Sequence, residues 1–401
     1  MANRRHITAP KGFAAAGVRC GIKQSRKEDL AIFAAERDAA CAIVTTQNQV
    51  VGAPILYCRQ IMPRGCGKAR AMVINSGCSN VCTGAAGLKD ARTMAALTAK
   101  RLGAEPRKIL VASTGIIGRR LPMAKIRAGI ASAARRLGRA GDSAALRAIM
   151  TTDLHEKSAV VRIRLAGTPV TVAGIAKGSG MIAPCLATMI SVITTDAAVA
   201  PQALHKALKQ AVAGSFNALT VDSDTSTSDI VAAFASGAAG NKSIAAGAPA
   251  FGKFAAALAE VCLSLARQVA ADGEGATKLI EVRISGARSD AEAKLAAKTV
   301  ADSPLVKTAV HGCDPNWGRI AAALGKSAAK VDATKLTIKI GRTTVFSRGC
   351  GKTFNEQTLS RYLASPSVVI RCDLGLGRGR FTAFTCDLSR EYIAINADYH
   401  T

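Results

Sequence analysis

Aromatic residues make up only 4% of this 401-residue chain, and tryptophan occurs once. The core must therefore be filled by the aliphatic residues that bring the hydrophobic fraction to 49%. No run of about 18 uninterrupted apolar residues occurs, which predicts no transmembrane helix. The first residues are basic with no apolar stretch behind them, so neither a secretory signal nor a transit peptide is expected. The 12 cysteines contain no Cys-x-x-Cys pair; the closest spacing is Cys78 to Cys82. The histidines form no ligand cluster with them, which argues against a structural zinc module and predicts no metal site. Reduced, mostly buried thiols in a cytoplasmic protein are the expectation, with Cys20, Cys41, Cys58, Cys262 and Cys372 in apolar or strand-like settings. No repeat of fixed period and no low-complexity linker is present, which sets aside solenoids.

Acidic residues are also scarce, 27 against 54 Lys and Arg, for a net charge of +27. Residues 1–187 carry 30 basic against 9 acidic residues, and residues 188–401 carry 24 against 18. The excess peaks around Arg119, Arg120, Lys125, Arg127, Arg135, Arg136, Arg139 and Arg147. Pro122 suits the first turn of a helix. Ile126, Ile130, Ala133, Ala134 and Leu137 then form one apolar stripe, with the arginines mostly on the other side. A solvated helix face accounts for this. A nucleic-acid surface is the competing reading, but no zinc finger, RNP-type aromatic strand or Gly-x-x-Gly clamp supports it. Neither nucleic acid nor membrane is expected as a partner. A basic surface would still draw anionic substrates toward a cleft.

The length implies two domains or two intertwined layers. Strands are expected at 13–21, 40–46, 71–74, 108–112, 159–165, 170–175, 188–195, 279–284, 335–340, 368–372, 380–387 and 392–396. Helices are expected at 88–102, 122–137, 144–151, 203–213, 254–272, 289–302 and 319–324, with 230–235 belonging to another. Residues 113–118 read as a turn. Such alternation indicates an α/β class with mixed sheets.

The segment with most chemical content is 177–189. A Gly- and Pro-containing bend leads into Thr188, and β-branched residues follow. A hydroxyl where a loop becomes a strand suits a nucleophile, and it suits a chain that cuts itself there. Breaking the Ala187–Thr188 bond would free an α-amino group that titrates near neutrality. That amine can act as base for the hydroxyl beside it, so no histidine is needed. An ordinary loop-to-strand junction is the alternative. Thr114 and Gly115 end a strand and could supply oxyanion donors, although Thr-Gly turns are common. Glu274 sits between two glycines, on a loop or beyond a helix capped by Gly273. Residues 221–229 hold three aspartates, but without the Gly and Glu of a calcium loop they read as capping of a helix after Asp229. Cys313 near His311 suggests a thiol nucleophile, yet the sequence names no acid to orient the histidine. A Pro turn packing Trp317 and opening a helix is the plainer account.

Taken together, these segments resemble the ornithine acetyltransferase / N-acetylglutamate synthase family of arginine biosynthesis. The residues that carry the resemblance run in order along nearly the whole chain: 8–13, 75–77 with 82–84, 113–118 with 121–123, 150–153, 177–189, 221–229, 272–278, 314–320 and 395–399. The resemblance implies an α/β/β/α sandwich of the self-processing Thr-nucleophile acetyltransferase type with a smaller C-terminal α/β domain. It implies cleavage between Ala187 and Thr188 into an alpha chain, 1–187, and a beta chain, 188–401, whose part from about 278 to 401 forms most of the smaller domain. Two chains of each kind would associate. Thr188 would carry the acetyl group as an ester, with Thr114 and Gly115 as oxyanion donors. Substrate contacts would fall on Thr151, Lys177, Thr188, Glu274, Asn396 and Thr401, with Thr152 the rival of Thr151. The activity implied is glutamate N-acetyltransferase, a ping-pong transfer from N2-acetylornithine to glutamate. It needs no permanently bound cofactor, and acetyl-CoA is left open as a second donor. Five positions depart from the family pattern: Cys78 and Cys185 each replace Asn, Ser223 replaces Gly, Ser228 replaces Asn and His400 replaces Arg. Cys185 bears on processing and His400 on substrate fit. A self-processed Thr-nucleophile aminopeptidase, using water in place of glutamate, is the rival class.

Overall fold

The computed structural model describes residues 6–182 and 189–398. Expectations that fall on Cys185, Ala187, Thr188, His400 and Thr401 lie outside these residues.

The chain order is β1 (Phe13–Val18), β2 (Leu30–Thr45), α1 (Ala53–Ile61), β3 (Cys66–Cys78), α2 (Gly84–Leu102), β4 (Ile109–Ile116), α3 (Met123–Arg135), α4 (Asp142–Ile149), β5 (Lys157–Leu165), β6 (Thr168–Lys177), β7 (Ile190–Thr195), α5 (Pro201–Ala213), β8 (Ile230–Ala235) and α6 (Phe251–Ala271). It continues with β9 (Leu279–Ala287), α7 (Asp290–Ala301), α8 (Pro304–His311), α9 (Trp317–Gly325), β10 (Thr337–Ile340), β11 (Thr343–Ser347), β12 (Cys350–Gly351), α10 (Glu356–Leu363), β13 (Ser367–Asp373), β14 (Gly379–Cys386) and α11 (Arg390–Asp398).

The larger sheet has the order β4-β3-β2-β8-β7-β6-β5, with β1 also on β2. β2 is long enough to serve two neighbours along one edge. Its first half pairs with β1 and its second half with β8. The register shifts between Ala34 and Ala39, where an irregularity bends it. Side chains alternate across β7 and β8, and this alternation divides two cores. Val192, Ile230, Ala232 and Phe234 face the core shared with β1–β4 and α1–α4. Ile193, Val231, Ala233 and Ala235 face the core under α5 and α6. Helices α1–α4 thus cover one face of this sheet and α5 and α6 the other. The smaller sheet, β12-β11-β10-β13-β9-β14, has its own core with α7–α10. Phe384 and Cys386 of β14 reach back into the α6 core and join the two units.

Several expected elements differ. Residues 113–116 continue β4, because the register with β3 runs through Ser76–Thr114 and Gly77–Gly115. Residues 230–235 form β8 and no helix; flanked by β2 and β7 and buried on both faces, they show no alternation to mark them as strand. Asp229 accordingly caps nothing. Residues 392–396 lie in α11, a helix with no buried residue and so no apolar stripe to read. Helices α1, α8 and α10 were not anticipated. α6 is long and apolar enough to cross a membrane by length and composition, although the sequence predicts no such span. Charged residues interrupt its apolar run, while Phe254, Leu258, Val261, Leu265 and Val269 bury one stripe against the larger sheet. The eleven described cysteines are free: six are buried, whereas Cys82 and Cys350 are exposed. On α3, Ile126, Ile130 and Ala133 are buried while Lys125, Arg127 and Arg135 face solvent, as expected.

α4 packs against β1 with almost no clearance. A Cβ added at Gly17 would lie 1.9 Å from the Ala144 carbonyl oxygen, and one at Gly141 would lie 1.9 Å from that of Ala15. Backbone cannot yield there as a side chain would. Gly17→Ala is expected to destabilise the fold by at least the ~1–3 kcal/mol typical of overpacking, measured by urea unfolding.

Candidate active site

Thr114, Gly115, Thr151, Thr152, Lys177, Glu274 and Asn396 line one cavity of about 210 Å³. They come from the end of β4, the loop before β5, the end of β6, the loop after α6, and α11. The chain enters the undescribed segment from Ile182 and leaves it at Met189.

Gly115 has φ +123, and a Cβ there would meet the Gly77 backbone at 2.5 Å. Only glycine allows β4 to stay against β3 at this point. The Ser113 hydroxyl donates to Asn75 Oδ1 at 2.6 Å, and Asn75 Nδ2 donates to the Cys78 carbonyl at 2.8 Å. The Asn75-Ser76-Gly77 run thus shapes the strand end that presents Thr114.

Lys177 is 2% exposed, and its Nζ lies 3.4 Å from Thr114 Oγ1. Burial lowers its pKa, opposed by the charges of Asp153, Glu274 and Asp229. Asp153 is the hub beneath it. Its carboxylate accepts from Lys157 Nζ at 2.7 Å, Gly178 N–H at 2.6 Å and Thr151 N–H at 2.9 Å. Burial opposes its charge, but Lys177, Lys157 and these hydrogen bonds prevail and hold the carboxyl at about 2. Lys157, 1% exposed, also donates to Asp272, which takes the N–H groups of Leu154 and His155. None of Asp153, Lys157 and Asp272 was singled out in the sequence. A lysine at the start of a strand gives no sign that it will be buried between two carboxylates.

The Thr151–Thr152 doublet divides its work. The Thr152 hydroxyl is engaged with Ser179 Oγ at 2.6 Å, whereas that of Thr151 makes no bond among the described residues. Glu274 N–H donates to the Ser179 carbonyl at 2.9 Å, and Glu274 Oε2 accepts from Asn396 Nδ2 at 3.0 Å. Gly180 makes room for it: a Cβ there would stand 2.4 Å from the carboxylate. Gly273 does follow the end of α6, donating to the Ala270 carbonyl.

The aspartate run at 222–229 grips both flanks of the undescribed segment. Asp222 accepts the N–H groups of Met181 at 2.6 Å and Ile182 at 2.7 Å. Asp229 accepts that of Met189 at 2.9 Å. Burial raises the Asp222 pKa to about 6. Ser223 stands at φ +67, which explains why the family pattern has glycine there; its hydroxyl bonds Asp302 at 2.9 Å. Ser226, Thr227 and Ser228 add to the cavity wall.

His311 does have an acid partner, Asp387 Oδ2 at 2.7 Å. The same carboxylate takes the Thr277 and Lys278 N–H groups, so it braces the Glu274 loop. Cys313 Sγ meets Lys278 Nζ at 3.1 Å, with no contact to the imidazole. A Cys–His nucleophile is therefore not assembled. Asn316 caps α9, which starts at Trp317, and the indole stacks on Phe346 at 5.1 Å.

The ArgJ family model matches residues 14–401. The chain belongs to the ArgJ family. It is 45% identical over 395 residues to the arginine biosynthesis bifunctional protein ArgJ of Geobacillus kaustophilus, covering 98% of this chain and 96% of that one. It is 46% identical over 397 residues to that of Symbiobacterium thermophilum, covering 98% of each. A crystal structure of ArgJ from Bacillus halodurans is 42% identical with a TM-score of 0.50, covering 51% of this chain and 97% of that chain.

Within this ArgJ-family fold, charged Asp153 is a source of pH-dependent stability. Its pKa falls from an ordinary 3.8 to about 2 on folding. Its contribution is therefore present above about pH 4 and is lost as pH falls toward about 2. Asp153→Asn is expected to lower Tm at pH 7 and to flatten the fall in Tm between these values, followed by calorimetry across pH.

Proposed function

We propose that this chain is a self-cleaving glutamate N-acetyltransferase of arginine biosynthesis, working through an acetyl ester on Thr188. The observation that carries this reading is the convergence of Thr114, Gly115, Thr151, Lys177, Glu274 and Asn396 on one cavity. They come from five separate stretches of chain, and the segment bearing Thr188 begins and ends beside them. The names of the ArgJ relatives, arginine biosynthesis bifunctional protein, support the same pathway. Processing into residues 1–187 and 188–401 is supported by the Bacillus halodurans crystal structure. That chain is matched over 97% of its length by 51% of this one, so it is about half as long, the size expected of one processed piece.

The chemistry follows from the site. Scission between Ala187 and Thr188 frees an amine beside the Thr188 hydroxyl. N2-acetylornithine presents its amide carbonyl to Thr188 Oγ, and the amine takes the hydroxyl proton. The Thr114 hydroxyl and the Gly115 N–H stabilise the tetrahedral oxyanion. Lys177, 3.4 Å from Thr114 Oγ1, strengthens that hydroxyl as a donor or receives a substrate carboxylate. Ornithine leaves with a proton, and the acetyl ester remains. Glutamate then attacks through its amine, regenerating the hydroxyl. Glu274, held by Asn396, suits the second ammonium of ornithine. Thr151, whose hydroxyl makes no bond among the described residues, suits a substrate contact, and the family resemblance implies Thr401 as another. The scheme uses no metal and no permanently bound cofactor, with acetyl-CoA as a second donor to be tested. Two alpha and two beta chains would assemble, in the reducing cytoplasm that unpaired thiols fit.

Thr188→Ala is expected to abolish both cleavage, read by denaturing gel and intact mass, and transfer. Incubation with acetylornithine and labelled glutamate is expected to put label into N-acetylglutamate. Free acetate alone would make the protein a hydrolase, and full transfer by Thr188→Ala would overturn the scheme. Acetyl-CoA with glutamate, acetylornithine omitted, tests the second donor.

A further inference from the structure

Asp229 is a buried carboxyl beside the cavity to which acetyl transfer assigns no task. It is 1% exposed, immediately before β8. Its Oδ1 accepts the Met189 N–H at 2.9 Å, and the Ile230 N–H donates to the Met189 carbonyl at 3.1 Å. Met189 is thus held by both of its peptide groups. The parallel register of Ile190 with Ile230 explains why these residues meet. Asp229 Oδ2 is buried with no hydrogen-bond partner among the described residues. A buried polar atom left unpaired costs stability, and a purely structural acceptor would not need it.

The amide nitrogen of Met189 belongs to the peptide whose carbonyl carbon is bonded to Thr188 Cα. Peptide planarity means that fixing this N–H fixes the whole plane on the C-terminal side of Thr188. Burial outweighs the Met189 N–H and the Lys177 charge, driving the Asp229 carboxyl well above the ordinary range.

We propose that Asp229 is a positioning residue for self-cleavage, acting on Thr188 through the Met189 amide that its carboxyl holds. This rests on the self-cleavage proposed above. In that reaction the bond from Thr188 Oγ to the Ala187 carbonyl carbon forms and the carbon–nitrogen bond breaks. The hydroxyl proton ends on the nitrogen, and water then hydrolyses the ester to the Ala187 carboxylate and the free Thr188 hydroxyl. Asp229 is neither consumed nor altered.

The test follows cleavage of the full chain during cell-free synthesis, by denaturing gel against time. Asp229→Asn keeps the acceptor for the Met189 N–H in the same shape. It is expected to cut within about threefold of the wild-type rate. Asp229→Ala, and Asp229→Val made in parallel because an apolar side chain suits the buried site, are expected to cut at least about tenfold more slowly, the scale of one lost hydrogen bond. Thermal melts identify which of the two remains folded. A folded Ala or Val variant that cuts at the wild-type rate overturns the inference, as does an Asn variant as slow as they are. A wild-type chain that is never cut overturns the proposed function instead, so the two failures are told apart.

Discussion

One buried ammonium organises this site. Lys157 lies between Asp153 and Asp272, and each carboxylate then gathers the backbone around it. Asp153 takes the N–H groups of Thr151 and Gly178; Asp272 takes those of Leu154 and His155. Through these contacts a single pair of ion pairs sets the loop with Thr151 and Thr152, the end of β6 with Lys177, and the end of α6 from which the Glu274 loop departs. Burying three charges is expensive, and hydrogen bonds of this kind are what make such a cluster tolerable. Because the cluster lies below the cavity, it fixes these catalytic candidates relative to one another without touching a substrate.

The same device recurs across the molecule and gives the net charge a different meaning. Asp29 accepts four consecutive backbone N–H groups, from Cys20 through Lys23. Asp142 takes those of His6 and Thr8, and Asp196 those of Lys11 and Thr171. Nine of the 27 acidic residues are buried: Asp29, Asp90, Asp142, Asp153, Asp196, Asp229, Asp272, Glu281 and Asp387. Seven of them accept backbone N–H groups that helices and strands leave unsatisfied, while Asp90 pairs with Arg120 and Glu281 with Arg267 and Arg283. Only four lysines among the described residues are buried beside them, Lys157, Lys177, Lys278 and Lys307, so the surface is left more basic than the sequence total suggests, which favours attraction of anionic molecules.

The sequence made the layered α/β class legible because strands and helices alternate and most have clear periodicity. Thr114, Gly115, Lys177 and Glu274 stood out because glycines beside a hydroxyl or a charge mark close backbone approaches. What stayed illegible depends on contacts distant in sequence. β8 has no alternation, since both its faces are buried, so 230–235 read as helix. α11 has no buried stripe; it is fixed at its start by Ser389, whose hydroxyl donates to the Gly275 carbonyl. The aspartates at 222 and 229 looked like local caps because their partners, Met181, Ile182 and Met189, lie some 40 residues upstream. Asp153 and Lys157 are four apart and could have suggested a helix pair. Their meaning comes from Asp272, which no local pattern can supply.

The topology also explains how a chain cut between 187 and 188 would remain one folded body. β6 and β7 flank the cut and pair antiparallel from Val172 with Thr195 to Lys177 with Ile190. β2 belongs to the first piece and β8 to the second, and six residue pairs join them. Both cores mix residues from either side: Ile175 packs with Val192 and Ile230, and Val172 with Ile193 and Leu265. Scission removes only the connection between strands already held by ladder and core, and loop connectivity contributes a slowly varying entropy that is small beside that burial. What it would add is a charged terminus one residue before Met189, whose N–H Asp229 holds. A break between two strands in the middle of a sheet covered on both faces would thus leave the frame around the cavity intact.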